Sequence, residues 1–405
     1  MWIKFSFRRN LIYIFYLILW RNIRSIELIL VSKFLGYGTT LINVLLMFIG
    51  EFFAGLFIYL YQKKFLSKKN KDKNAILINF EKKQINEIKS RRDSITKQYY
   101  LIFLCAFFDF IEFVLGIKCL PKFINLSGSI EGRLTGMLTI TSSLFLFYVM
   151  KFRILKHQKV SLVIISIALG IIILTEYLII KTDIFLSYTN FTFSICIIFL
   201  IHCFTSLLDV IEKYLLEVDS LNQFKLLMHE GIFGIILTLI YCIYDSPFSS
   251  FIEYFNAHSK KSNIFFIIAL IIYVILSGGR NAYRVQVNKL YSPIVKSLTD
   301  YFLNPLYNIY YFSMYEDFLV DGNRNIIYFL VNFIFPLIIT FFGCVYNEFI
   351  ILFFCGLEYD TYEEVSKRAR ISLNNFDKIN ELENGEYKIN DLYIIDNNNN
   401  EFYIY

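Results

Sequence analysis

Between two apolar runs, the stretch "GGRNAYRVQVNKLYSPIVKSLTD" at residues 278–300 holds Arg280, Arg284, Lys289, Lys296 and Asp300. Arg280 and Arg284 are four residues apart, as are Lys296 and Asp300, so on a helix each pair shares one face. The same spacing recurs elsewhere. Asp109 and Glu112 are three apart, Glu131 and Arg133 flank Gly132, and Glu176 sits in an apolar run. His202, Asp209, Glu212 and Lys213 follow, then His229 and Glu230, with Glu51 and Glu348 in runs of their own. A charge at the centre of a bilayer costs about 2.5–3.5 kcal/mol, so such residues usually face a cavity or a partner.

Two explanations stand side by side for these charges. Glu212, Lys213, Arg280 and Arg284 fall near the ends of apolar runs, where long side chains also snorkel to the headgroups. Glu131, Arg133, Lys296 and Asp300 either fasten helices as internal ion pairs or line a polar cavity with Asp109 and Glu112. In the cavity reading, Arg133 and Lys296 offer positive charge to an anionic solute, Arg133 through a planar two-donor fork and Lys296 as a point charge. Tyr291, Tyr301 and Tyr307 would stack on that solute or hydrogen-bond to it. Arg133→Ala and Lys296→Ala are then expected to abolish transport with near-normal folded yield. No second His or Cys follows the histidines at ligand spacing, so no metal is expected. The seven cysteines contain no Cys-x-x-Cys pair. Cys105, Cys196, Cys203, Cys242 and Cys344 read as small apolar residues within spans.

The elements that must hold these residues are membrane helices. The 405-residue chain is 56% hydrophobic and only 18% charged, with a mean hydropathy of +0.52, 44 Phe and 30 Tyr. One soluble core has no use for so much apolar surface, and the composition is that of a polytopic membrane protein. Apolar runs lie at about 39–61, 99–118, 127–150, 159–180, 190–214, 224–245, 263–281, 289–313 and 326–355. A first, shorter run, "LIYIFYLILW", is interrupted by "RNIRS". Either a helix covers about 11–35 with Arg21 and Arg24 facing inward, or it spans only part of that range. The count is about ten transmembrane helices in an all-α fold, because backbone amides in hydrocarbon must be satisfied within the segment. No small-residue cleavage site follows "MWIKFSFRRN", so the first apolar segment is expected to be retained.

The formal net charge of +6 lies mostly in short connections, as the positive-inside rule expects, which argues against nucleic acid as a partner. The loop at 62–98 carries twelve basic and four acidic residues, and "KFRILKHQK" and "RNAYRVQVNK" are basic too. With ten spans these loops share one side, taken as cytosolic with both termini. The opposite loops are neutral or acidic, and the sequons at Asn125 and Asn190 fall on or near them. The tail from 356 is polar and Asn-rich, and is expected to hold a short amphipathic piece, "EEVSKRARISL", in otherwise disordered chain.

Residues 126–150 and 290–314 share five identities at an offset of 164, with "LT" at 134–135 matching "LT" at 298–299. That pairs the fourth span with the ninth, as two five-helix halves require. Five is odd, so the halves at 1–180 and 181–355 would insert in opposite senses, a plan that recurs in secondary transporters.

Several short stretches resemble the drug/metabolite transporter superfamily, and within it the F-type branch of solute carrier family 35, related to nucleotide-sugar transporters. "LLMFIGE" is similar to that branch's "MFLGE" segment, and "DVIEKYLL" to its Glu-Lys-aromatic-Leu signature. "HEGIFG" resembles its Glu-Gly-x-x-Gly element, and "FFGCVYNE" its Gly-x-x-x-Tyr-Asn pattern. The resemblance runs from about residue 39 to 350. It implies two inverted five-helix repeats, cytosolic termini and alternating access for an organic solute. It also marks Glu51, Glu212, Lys213, Glu230, Gly231, Gly234, Tyr346 and Asn347 as family-type positions. Gly231 and Gly234 would permit close packing, and Glu230 would pair with Lys213 or Arg284. The chain departs from the branch at "EGRLTG", where a Leu-Arg-Gly step is expected, and in the ninth span. A shared fold leaves the cargo open.

The resulting expectation is a secondary transporter of a small organic solute, with a nucleotide sugar or related metabolite as the candidate, in an endomembrane or the plasma membrane. Membrane lipid and a possible second copy of the chain are its other expected partners, with no cofactor. No Gly-x-x-x-x-Gly-Lys phosphate loop occurs, which argues against a self-contained ATP-driven pump. The rivals are a receptor or scaffold using the basic loop, and a membrane enzyme using His202, Asp209 or His229. No nucleophile or diphosphate-binding cluster supports the enzyme.

Overall fold

The computed structural model describes residues 3–5, 12–35, 41–71, 95–119, 129–152, 154–182, 188–245, 251–253, 255–256, 259–302, 319–320, 323–324, 326–353, 356–361, 364–365, 395–396 and 401–402. Most of the 62–98 loop, the sequon at Asn125, Tyr307 and most of the tail, including the amphipathic piece, lie outside them.

The helices are α1 (Ile12–Leu35), α2 (Leu41–Lys71), α3 (Ile95–Val114), α4 (Ser129–Leu134), α5 (Met137–Val149) and α6 (Lys156–Thr182). They continue with α7 (Tyr188–Glu217), α8 (Gln223–Asp245), α9 (Lys260–Leu290), α10 (Pro293–Tyr301) and α11 (Ile326–Tyr346). Among the described residues, α2, α3, α6, α7, α8 and α9 each contain a stretch long and apolar enough to cross a membrane. The chain is an all-α, multi-pass membrane protein. Short antiparallel strand pairs accompany the helices, such as β1 (Ile3–Phe5) with β2 (Ile350–Leu352).

Several helix limits differ from the apolar runs. The run at 127–150 forms two helices, α4 and α5, separated by Thr135 and Gly136. α9 runs nine residues beyond the apolar limit at 281, because its last turns bury polar groups against partners from α7. α10 starts as its sequence suggests. Ser292 Oγ accepts from Val295 N at 3.1 Å, capping the first turn, and Pro293 takes the position where a missing N–H costs nothing. α8 is capped likewise by Asn222 Oδ1, which accepts from Phe224 N and Lys225 N.

Backbone contacts divide the chain into two compact units. One comprises residues 1–9, 132–179 and 301–405; the other comprises 10–131 and 180–300. In the second unit α2 packs on both α8 and α9, α1 lies on α9, and α3 lies on α7 and α8. Ile102, Leu208, Leu215, Phe224, Leu227 and Val285 form one apolar cluster there, and Leu41, Val44, Met47, Phe48, Phe110 and Tyr273 another. Outward faces are strongly apolar: Tyr244 is 90% exposed and Ile243 83%, as expected of side chains that meet lipid. In the first unit, Val345, Leu352 and Leu357 form an apolar cluster where α11 meets β2.

Candidate functional site

The second unit is built around α2, and glycines bring its backbone against two neighbours. A Cβ on Gly50 would lie 2.4 Å from Val274 O, and one on Gly278 would lie 2.5 Å from Gly50 O, so α2 and α9 cross backbone to backbone. On the side facing α8, a Cβ on Gly231 would meet Phe52 N at 2.6 Å, while Gly234 makes room for the Phe48 ring. This double crossing seals in the residue after Gly50. Glu51 is fully buried, and its Oε1 accepts a hydrogen bond from Asn281 Nδ2.

Asn281 belongs to a stripe on α9. Ser277, Asn281, Arg284 and Asn288 recur at steps of four, three and four, and all are buried. Arg284 Nη2 lies 2.8 Å from Glu212 Oε1 on α7 and 3.5 Å from Glu230 Oε2 on α8. Asn288 Nδ2 donates to Glu212 Oε2 at 2.9 Å and to the Asp209 carbonyl at 2.8 Å. Lys213 reaches the end of the same helix, donating to the carbonyls of Lys289 at 3.2 Å and Tyr291 at 3.1 Å while pairing with Glu217 at 2.5 Å. A cation there satisfies carbonyls that no later turn of helix can and complements the helix dipole.

Lys296 on α10 lies 2.9 Å from Asp209 Oδ2 and 3.4 Å from Asp300 Oδ2. Asp300 also pairs with Arg21 of α1 at 2.7 Å, and Arg21 donates to Thr299 O at 3.2 Å. One turn along α1, buried Arg24 donates to Tyr273 OH at 2.7 Å with its guanidinium 5.1 Å from the ring centre. Both arginines of α1 thus face inward on a continuous helix. Asp109 is buried on α3, and Glu112, one turn on, meets Thr205 of α7. Tyr291 caps the C-terminus of α9; burial pushes its phenol above the usual range, with nearby Tyr13 adding to this.

The remaining residues, Glu131 apart, lie in the first unit. Arg133 pairs with Glu176 of α6, both almost wholly buried. Tyr301 OH shares a 2.8 Å hydrogen bond with Thr139 Oγ1. Tyr346 is buried at the end of α11, and Asn347 Nδ2 donates to the Gly343 carbonyl at 2.9 Å. Glu348 takes the left-handed conformation, φ 58°, in a closing turn where Phe349 N donates to Cys344 O at 3.0 Å. Its carboxylate lies 3.6 Å from His157 Nε2. Glu131 is helical in α4, and its side chain lies outside the described residues.

The residues singled out in the sequence therefore fall into two groups. Glu51, Asp109, Glu112, Glu212, Lys213, Glu230, Lys296 and Asp300 belong to the unit built on α2, whereas Arg133 and Tyr301 belong to the other. Arg133 and Lys296 each have an acidic partner of their own. Ser277, Asn281 and Asn288 escaped the sequence reading because they carry no charge. Their spacing in "SGGRNAYRVQVN" was the available signal.

No family model matches the chain, and no curated protein matches it. The functional conclusion therefore rests on the helices and on the charges buried among them.

Proposed function

We propose that the protein is a secondary transporter that moves a small organic solute by alternating access, with about ten membrane helices in two inverted five-helix repeats. One observation carries this reading: Arg284 and Lys296, both buried, are held by the carboxylates of Glu212, Glu230, Asp209 and Asp300 in a unit whose helices α2, α3, α7, α8 and α9 are apolar enough to cross a membrane. Ionisable groups are expensive there, and substrate and ion pathways are where membrane proteins keep them. Exchangeable ion pairs give such a site two arrangements, one closed on itself and one opened by a competing charged solute.

The repeat gains support from a local match. Thr135 Oγ1 donates to the Gly132 carbonyl at 2.7 Å, and Thr299 Oγ1 to the Lys296 carbonyl at 2.6 Å. These are the threonines paired by the 164-residue offset; Thr135 follows the last residue of α4, Thr299 lies in the last turn of α10, and each makes the same three-residue back-bond. A nucleotide sugar is the cargo class that the family resemblance suggests. Under this proposal the basic 62–98 loop and both termini are cytosolic, in an endomembrane or the plasma membrane.

The test is melting temperature of the purified protein against nucleotide sugars, nucleoside monophosphates, amino acids, thiamine-like cations and sugar phosphates, followed by counterflow in proteoliposomes. A ligand at 100 times its Kd stabilises the fold by about 2.7 kcal/mol. A selective rise followed by exchange of labelled for unlabelled compound is the expected result. A cooperative melt that no compound moves, with no counterflow, would overturn transport in favour of a receptor or scaffold.

A further inference from the structure

The charges around Glu51 do not balance. Lys296 and Arg21 serve Asp209 and Asp300. Glu51, Asp109, Glu112, Glu212 and Glu230 share Arg280 and Arg284 as nearby cations, and Lys296, already paired with Asp209 and Asp300, also acts on Glu112 and Glu212. Facing Glu51 are Asp109 of α3, Glu212 of α7, and Arg280 and Arg284 of α9. Facing Glu230 are Glu51, Asp109, Glu212 and Arg284, with the Cys105 thiol of α3 alongside.

Hydrogen bonding shows a matching deficit. Glu51 Oε2 is buried with no donor, while Asn281 serves only Oε1. No N–H or O–H group donates to either oxygen of Glu230, the weakly donating Cys105 thiol being its hydrogen-bonding neighbour, and its ion-pair distance to Arg284 is a long 3.5 Å. One turn before Asn281, Ser277 Oγ is wholly buried without a partner. An ionised carboxylate can only accept, so buried carboxylates that influence one another supply no donor until one of them gains a proton. The missing component is thus a positive charge that also donates.

The backbones of α2 and α9 touch at Gly50 and Gly278, beside Glu51, which leaves no space at that crossing for an organic cation. Among the described residues no three of His, Cys, Asp and Glu are grouped so as to hold a metal ion. We infer that Glu51 and Glu230 form a proton-binding site at the crossing of α2, α8 and α9, and that the proton is the ion whose movement is coupled to the solute. The coupling role rests on the transporter reading above; the binding site does not. Proton uptake needs no redox partner: one carboxylate becomes a carboxylic acid, which removes a negative charge from the crossing and supplies an O–H donor there, and loss of the proton restores two acceptors. In the protonated form Arg284 is shared by fewer negative charges and holds Glu212 more firmly.

The test is infrared pH-difference spectroscopy on the full chain reconstituted in lipid, with the proton as the only ligand. The expected result is a carboxylic-acid C=O band that declines as pH rises, is diminished in both Glu51→Gln and Glu230→Gln, and returns at a shifted frequency in Glu51→Asp. Each variant is first shown to be monodisperse by size exclusion; Glu230→Gln decides the matter if Glu51→Gln does not fold. A wild-type spectrum without a titrating acid band, or a band unchanged in the folded glutamine variants, would overturn the proposal. Because the band is read without solute, its absence leaves counterflow free to support transport. A band present without counterflow removes only transport and coupling.

Discussion

Lys296 Nζ lies 2.9 Å from Asp209 Oδ2, and both residues are almost completely withdrawn from solvent. A lysine in this position is not a free positive charge waiting for an anion. Any anionic solute must compete with Asp209 and Asp300 for it, so its replacement affects folding before it affects binding. The expectation from sequence, loss of transport with near-normal folded yield, changes accordingly.

Lys296→Ala leaves Asp209 buried without its cation and is expected to cost about 3–5 kcal/mol, seen as a large fall in melting temperature. The double variant Lys296→Met with Asp209→Leu removes both charges at similar volume and is expected to recover most of that loss, since Asp300 retains Arg21. A double variant no more stable than Lys296→Ala would show that the pair is not what holds α10 in place.

Arg133 and Glu176 provide a parallel test in the other unit. Arg133→Ala should reduce folded yield sharply, and exchanging the two charges, Arg133→Glu with Glu176→Arg, should restore part of it. Fluorescence-detected size exclusion reads both. Wild-type yield for Arg133→Ala would return this residue to the solute-binding role.

Glycines with and without neighbours should diverge. Gly278→Ala places a methyl group 2.5 Å from Gly50 O, where backbone must move, and is expected to destabilise strongly. Gly170→Ala in α6 meets nothing within 4 Å and is expected to stabilise by up to about 1 kcal/mol, the difference in helix preference between the two residues. Thermal melts of the two variants should move in opposite directions.

The orientation can be tested at the 62–98 loop. A protease site inserted there is expected to be cut from the cytosolic side of sealed vesicles. Cleavage only from the luminal side would reverse the assignment of every loop.

The apolar runs were legible because their signal is local: twenty or so residues without charge have few other uses. The start of α10 was legible too, since Ser292 and Pro293 are cap and first-turn residues by their own chemistry. The end of α9 was not. Asn281, Arg284 and Asn288 lower the hydropathy of the segment below that of a span, and only their partners on α2, α7 and α8 make a helix of 31 residues acceptable there. The break between α4 and α5 was hidden for the converse reason: apart from Glu131 and Arg133 the run is uncharged, and its length of about one span gave no sign that it holds two helices.

The sequence by itself determined that this chain enters a membrane as helices and that charges lie at helical spacing within or beside them. Both follow from composition and from a 3.6-residue period, which need no knowledge of neighbours. Only the tertiary structure decided which charge meets which. Arg133 finds Glu176 at a separation of 43 residues, and Asn281 finds Glu51 at 230. Periodicity assigns a residue to a face of its own helix, whereas the choice of partner depends on which helices cross and how closely, and here glycines at Gly50, Gly231 and Gly278 set that distance.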